Sequence, residues 1–149
     1  IRWMPCSNYP MQFRPSGLIL LLPVSFLLSC NSAHTDDPNE AYAEWAGHPP
    51  STHETVIHGH YARSPHFTTE YVLYLEMMVP KVWTESYVSH YGFREASEAP
   101  QLRNDDPTWF QPPEGWHIYV ISNSAYTEAA VFTDSSRTHV FVFDSGGGM

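Results

Sequence analysis

The chain has 149 residues, with 7 lysines and arginines against 16 aspartates and glutamates, which gives a formal net charge of −9 at pH 7. This acidity excludes a basic surface for nucleic acid, and it disfavours electrostatic docking onto anionic lipid head groups. We therefore expect no nucleic-acid partner.

The first feature along the chain is an apolar run over 18–28, which follows Arg14 and is interrupted by one proline and one serine. A membrane-spanning helix needs about 20 apolar residues, and this run has only about eleven. A positive charge, a short apolar core and small residues after it are typical of a secretory signal peptide. We expect residues 1–29 to comprise this signal and the residues before it, with translation beginning at Met11 or, alternatively, at Met4.

The end of the apolar run, Leu27-Leu28-Ser29-Cys30, resembles the lipobox of bacterial lipoproteins. The resemblance covers the signal only, and we recognise no domain family in the rest of the chain. It implies that Cys30 carries a lipid on its thiol and becomes the first mature residue. It also implies a protein anchored in the bacterial cell envelope, where Asn31 favours the periplasmic face of an outer membrane if the host has one. The alternative is an ordinary signal with a chance cysteine.

Cysteine usage limits the chemistry of the mature chain. Cys6 and Cys30 are the two cysteines; the first is removed with the signal and the second would carry lipid. This excludes a disulfide, a cysteine zinc site and a cysteine nucleophile. The fold must then be held by its core, and aromatic residues make up 15% of the chain.

Behind the cysteine we predict a polar, proline-rich tether over 30–52, and a single domain over 53–145. One short helix is predicted within the tether, over Pro38–Ala46, because Asp37 suits its N-cap and Gly47 its end. About 120 mature residues suit one domain with a single core.

The domain is predicted as α+β: a small antiparallel sheet of about five strands with one main helix packed on a face. Alternation predicts strands over 54–61 and over 70–78, the second central because both of its faces are apolar. Trp83, Tyr87 and Tyr91 form one apolar stripe of a helix over 80–91. A polar loop is predicted over 94–115 and a strand over 116–122. A hairpin is predicted from strands over 129–133 and 138–144, followed by a flexible tail over 146–149.

Histidines are concentrated in one stretch of the chain, with five of the nine between His48 and His66. On a strand, His58 and His60 would share a face and could hold a zinc or copper ion if a third ligand came from His53, Glu54 or His66. The alternative is a solvated sheet face, since no spaced metal-binding signature is present.

Two further groups of residues suggest function. Trp109, Phe110 and Trp116 flank a proline-rich stretch and are predicted either to form a binding surface or to join the core. Asp105-Asp106 and the pair Glu95 and Glu98 are candidates for acid–base chemistry, or else solvated loop residues.

No serine-nucleophile or phosphate-loop motif appears in the sequence. We therefore expect a lipid-anchored cell-envelope protein with a small non-catalytic domain that binds, inhibits or assists, with an envelope protein as a candidate partner. One alternative is a metal-binding envelope lipoprotein that uses residues 48–66. The other is a small envelope hydrolase whose residues converge only in space.

Overall fold

A computed structural model describes residues 33–64, 70–100, 106–124 and 127–147. The segment predicted as a signal peptide, Cys30, His66 and Asp105 lie outside these ranges. No helix in the described ranges is long and apolar enough to cross a membrane. The elements are β1 (Ala33–Thr35), α1 (Pro38–Ala46), β2 (Thr55–Arg63), β3 (Glu70–Met78), α2 (Lys81–Tyr91), β4 (Arg94–Ala96), β5 (His117–Ser124), β6 (Thr127–Thr133) and β7 (His139–Gly147).

The described strands form one sheet in the order β1-β2-β3-β7-β6-β5-β4, with every neighbouring pair antiparallel. The prediction of about five strands with one main helix is therefore wrong, because the sheet has seven strands and two helices pack on it. The two strands that were missed, β1 and β4, have three residues each. A strand of three residues is too short to show the alternation by which strands are recognised.

Strand β3 lies in the middle of the sheet, between β2 and β7. Leu73, Leu75 and Met77 are fully buried on one side, and Tyr74 is buried on the other. The predicted central position of this strand is confirmed, and its burial on both sides explains why its sequence is apolar on both faces.

One side of the sheet, the helix face, is covered by α1 and α2. Ala41 and Tyr42 of α1 are buried in the same core as the apolar residues of β3, and the ring of Trp45 lies 5.7 Å from that of Tyr87 on α2. The helix predicted over Pro38–Ala46 is confirmed, with the Asp37 carboxylate accepting from the Glu40 amide at 2.9 Å. The segment predicted as a tether thus supplies β1 and α1 to the fold.

The other side of the sheet, the loop face, is covered by the segment over residues 106–116. Phe110 from this segment is only 4% exposed and packs among aromatic residues of the sheet. That buried cluster consists of Tyr74, Phe110, Ala130, Phe132, Phe141 and Phe143. The segment predicted as a long polar loop over 94–115 therefore contains an edge strand, β4, and residues that cover the core of the loop face.

The hairpin predicted near the C-terminus is confirmed as β6 and β7, which pair from Thr133 and Val140 outward. Strand β7 continues into the segment predicted as a flexible tail, where Gly146 pairs with Tyr71. A Cβ atom at Gly146 would lie 2.5 Å from Cε1 of Tyr71. Glycine at this position leaves room for the ring of Tyr71 to lie across the strand. A glycine-rich composition predicts flexibility and gives no sign of such a contact.

Candidate functional site

His58 and His60 share one side of β2, as predicted, and that side is the loop face; Val56, which the alternation placed with them, packs against the core of the helix face instead. The two histidines are paired in register with Glu76 and Tyr74 of β3, and a register shift separates His58 from Val56. Gly59 between them faces α1, where a Cβ atom would lie only 2.8 Å from Cα of Pro38. This close approach holds the start of α1, and the turn that precedes it, beside the histidines of β2.

The turn between β1 and α1 is fixed by its own polar side chains. Thr35 donates from its hydroxyl to the Glu40 carboxylate at 2.9 Å and accepts from the amide of Asp37 at 3.1 Å. Asp37 is occupied as the helix cap. The preceding Asp36 is directed to β2 instead, where Oδ1 lies 2.6 Å from Nδ1 of His60.

His34 completes a cluster with Asp36 and His60. It lies on β1 opposite Ala62, and its ring centroid is 5.1 Å from that of His60 with the planes nearly perpendicular. One ligating atom from each of His34, Asp36 and His60 lies within 4.8 Å of the others. The hydrogen bond with His60 is the main cause that lowers the pKa of the Asp36 carboxyl below its usual range, so Asp36 is ionised at neutral pH.

A second polar group lies further along the same face, around Glu76. Its two carboxylate oxygens are bonded separately, one to Nδ1 of His58 at 2.7 Å and the other to Nε2 of His139 at 2.9 Å. Trp109 stacks on His58 with ring centroids 5.1 Å apart, and Trp116 meets His139 edge-on at 5.0 Å. His58 therefore contacts Glu76 and Trp109, whereas His60 contacts His34 and Asp36.

The structure groups the predicted metal ligands differently from the sequence analysis. His60 is joined by His34 and Asp36, while His58 is bound to Glu76 and the exposed His53 lies in the turn before β2. The fourth predicted ligand, His66, lies outside the described residues. His34 and Asp36 were missed because they belong to the segment taken as a tether, and a three-residue strand gives no periodic signal.

The predicted aromatic surface is divided by the fold. Phe110 is buried in the core of the loop face, whereas Trp109 and Trp116 are half-buried at its margin. Trp116 also lines a pocket of ≈ 220 Å³ with apolar residues that include Ile118 and Phe132.

The candidate acid–base residues are held in separate places. Asp106 accepts a hydrogen bond from the hydroxyl of Tyr74, and Glu95 on β4 pairs with His117 at 3.1 Å. Glu98 follows β4, and Asp105 lies outside the described residues. Asp106 and Glu95 thus have partners in different parts of the fold rather than each other.

One carboxylate lies beneath the helices instead. Asp144 on β7 accepts from Nε1 of Trp45 at 2.9 Å and from the hydroxyl of Tyr71 at 3.1 Å. Burial raises the pKa of Asp144, although both hydrogen bonds act in the opposite direction. Since its hydrogen-bond donors are residues that pack against the core, Asp144 ties α1 to the sheet.

Comparison with known proteins gives no match to any family model, curated protein or solved structure. The chemistry of the His34–Asp36–His60 cluster and of its surroundings is therefore the basis on which a function can be proposed.

Proposed function

We propose that this chain is a lipid-anchored cell-envelope protein whose non-catalytic domain binds a divalent transition-metal ion through His34, Asp36 and His60. The observation that carries the proposal is the convergence of three ligating atoms within 4.8 Å of one another. Two imidazole nitrogens and one carboxylate oxygen are a donor set that suits zinc, and imidazole donors also suit copper.

The ligating atoms lie within 4.8 Å of one another, so side-chain movements on the order of 1 Å would bring them to the spacing of zinc ligands. Ligands on a tetrahedral zinc with bonds of about 2.0–2.1 Å lie about 3.4 Å apart. The Asp36 to His60 contact is 2.6 Å, so the carboxylate has to withdraw by ~1 Å. The Asp36 side chain is 73% exposed, which gives it room to do so. Water would complete the coordination shell.

Charge also favours a cation here. Asp36 is ionised at neutral pH, as the lowered pKa of its carboxyl ensures, and the chain as a whole carries a formal charge of −9. An imidazole nitrogen has to be unprotonated in order to ligate a metal ion. Metal binding must therefore compete with protons.

The envelope location in the proposal is supported by the lipobox-like end of the signal segment, Leu27-Leu28-Ser29-Cys30. Cys30 would be the attachment point, and His34 follows it by four residues in the sequence. The proposed metal site would accordingly lie close to the membrane surface. The membrane, through the lipid, is the proposed partner.

Isothermal calorimetry with Zn²⁺ tests the metal site on the full chain carrying Cys6→Ser and Cys30→Ser, which removes both thiols as competing ligands. We expect one saturable event at pH 7.5 that is lost in His34→Ala and in His60→Ala. His53→Ala is the matched control, because this exposed histidine of the same region lies outside the cluster.

Circular dichroism of each variant shows whether the fold is retained. Equal heats from the parent chain and from a folded His34→Ala variant would contradict the proposal.

A further inference from the structure

We infer that a metal ion at His34, Asp36 and His60 fastens β1 to the sheet and thereby sets how far the domain can stand from its lipid anchor. This inference rests on the proposed metal site and concerns its regulation. The three ligands come from different parts of the chain: β1, the turn after it, and β2. An ion bound to all three joins the N-terminal segment to the sheet.

The strand that would be fastened is a short one. β1 has three residues and, among the described strands, lies at the edge of the sheet, where it pairs only with Arg63, Ala62 and Tyr61 of β2. Ala33 packs against the core of the helix face, whereas His34 points to solvent. Short edge elements with few buried contacts open at low free-energy cost compared with the core of a fold.

Without metal, the polar side-chain contact described across this edge is that between Asp36 and His60, beside the ring contact of His34 with His60. Asp36 is largely exposed, and an exposed pair of this kind contributes little to stability. A metal ion that binds only the docked arrangement raises the ratio of docked to released β1 by the factor 1 + [metal]/Kd. At a metal concentration one hundred times Kd, that ratio rises about 100-fold.

The release of β1 would change the reach of the anchor. An extended chain spans about 3.3–3.6 Å per residue. With β1 docked, the chain from Cys30 to Ala33 spans at most ~10 Å. With β1 released, the first element held by the core is α1 at Pro38, and the span from Cys30 grows to ~27 Å. The metal ion would thus draw the domain towards the membrane.

Hydrogen–deuterium exchange on the full chain carrying Cys6→Ser and Cys30→Ser tests the fastening, with and without saturating Zn²⁺. We expect exchange of β1 to slow by up to about 100-fold, while exchange in the β6–β7 hairpin is unchanged. The effect should disappear in His34→Ala, whose substitution is at an exposed site, and should persist in His53→Ala.

The outcomes separate the two proposals when calorimetry accompanies the exchange measurement. Zinc heat together with slowed exchange of β1 supports both. Zinc heat that depends on His34, with exchange of β1 unchanged, overturns the fastening and leaves the metal site. The absence of zinc heat overturns the metal site and the fastening with it.

Discussion

The substitution Gly59→Ala tests the contact that positions the site. Gly59 lies on β2 immediately before His60, and its Cα faces the first turn of α1. An added Cβ atom would lie 2.8 Å from Cα of Pro38, 2.9 Å from Cβ of Ala41 and 3.2 Å from the Pro38 carbonyl oxygen. Two of these three neighbours are backbone atoms, which cannot rotate away. We therefore expect α1 to be displaced and the domain to be destabilised.

The magnitude follows from two opposing effects. Overpacking a well-packed site costs about 1–3 kcal/mol, and contacts with backbone below 3 Å place this site at the upper end. Alanine is preferred to glycine within a strand by about 0.5–1 kcal/mol, which offsets part of that cost. The expected net loss in the free energy of unfolding is ~2 kcal/mol. For a domain of this size that lowers Tm by about 8 °C.

Denaturant and thermal unfolding of the chain carrying Cys30→Ser measure this loss. Ala62→Gly, on the same strand, serves as a control that reports the strand preference separately. The double variant Gly59→Ala/Ala41→Gly should cost less than the sum of its two single changes, because it removes one of the close contacts. A Gly59→Ala variant as stable as its parent, or more stable, would refute the argument that β2 and α1 are in close contact here.

Three further predictions follow from the anchor, the buried carboxylate and the metal site. Cys30→Ala should abolish incorporation of labelled palmitate and leave uncleaved precursor; continued labelling would rule out the lipoprotein proposal. Burial raises the pKa of the Asp144 carboxyl in the folded state above its value in the unfolded chain. The free energy of unfolding is therefore highest below the ordinary carboxyl pKa, and it falls as pH rises through the pKa of Asp144 in the folded state. Asp144→Asn should therefore gain stability relative to the parent between pH 4 and pH 7, by about 1.4 kcal/mol for each unit of the shift; unfolding midpoints that differ equally at both pH values would contradict this. A protonated imidazole cannot ligate, so protons compete with Zn²⁺ and its affinity for the cluster should be weaker at pH 5.5 than at pH 7.5; calorimetry that finds the same Kd at both pH values would exclude imidazole ligands.

The sequence indicated the elements that carry long periodic patterns. Strand β3 has nine residues with apolar side chains on both faces, and α2 carries a stripe at four-residue spacing. Such patterns reflect burial directly, and so the elements could be located from the sequence. The two three-residue strands at the sheet edges could not, because their pairing depends on backbone hydrogen bonds with β2 and β5 that leave no period in the sequence.

The candidate site was predictable from the sequence only where it depends on the geometry of a single strand. The shared face of His58 and His60 follows from strand geometry alone. The partners of His58 do not, because Glu76 reaches His58 only through the pairing of β2 with β3, and His139 reaches Glu76 only through the pairing of β3 with β7. Asp36 reaches His60 from the turn before α1, and the first residue of that helix, Pro38, packs closely on Gly59. Sequence spacing describes neighbours within one element, whereas both groups are assembled across elements.

The closeness of Gly59 to the metal ligands makes stability and metal binding depend on each other. If displacement of α1 in Gly59→Ala also moves Asp36 away from His60, the variant should bind Zn²⁺ more weakly than its parent. Binding energies between coupled events are reciprocal, so saturating Zn²⁺ must then restore part of the stability that the variant lost. His53→Ala, which lies outside the cluster, should show no such coupling. A Gly59→Ala variant that is destabilised as expected yet binds Zn²⁺ with unchanged affinity would show that the docking of α1 does not position the site, and that the turn held by Thr35 and Glu40 does so alone.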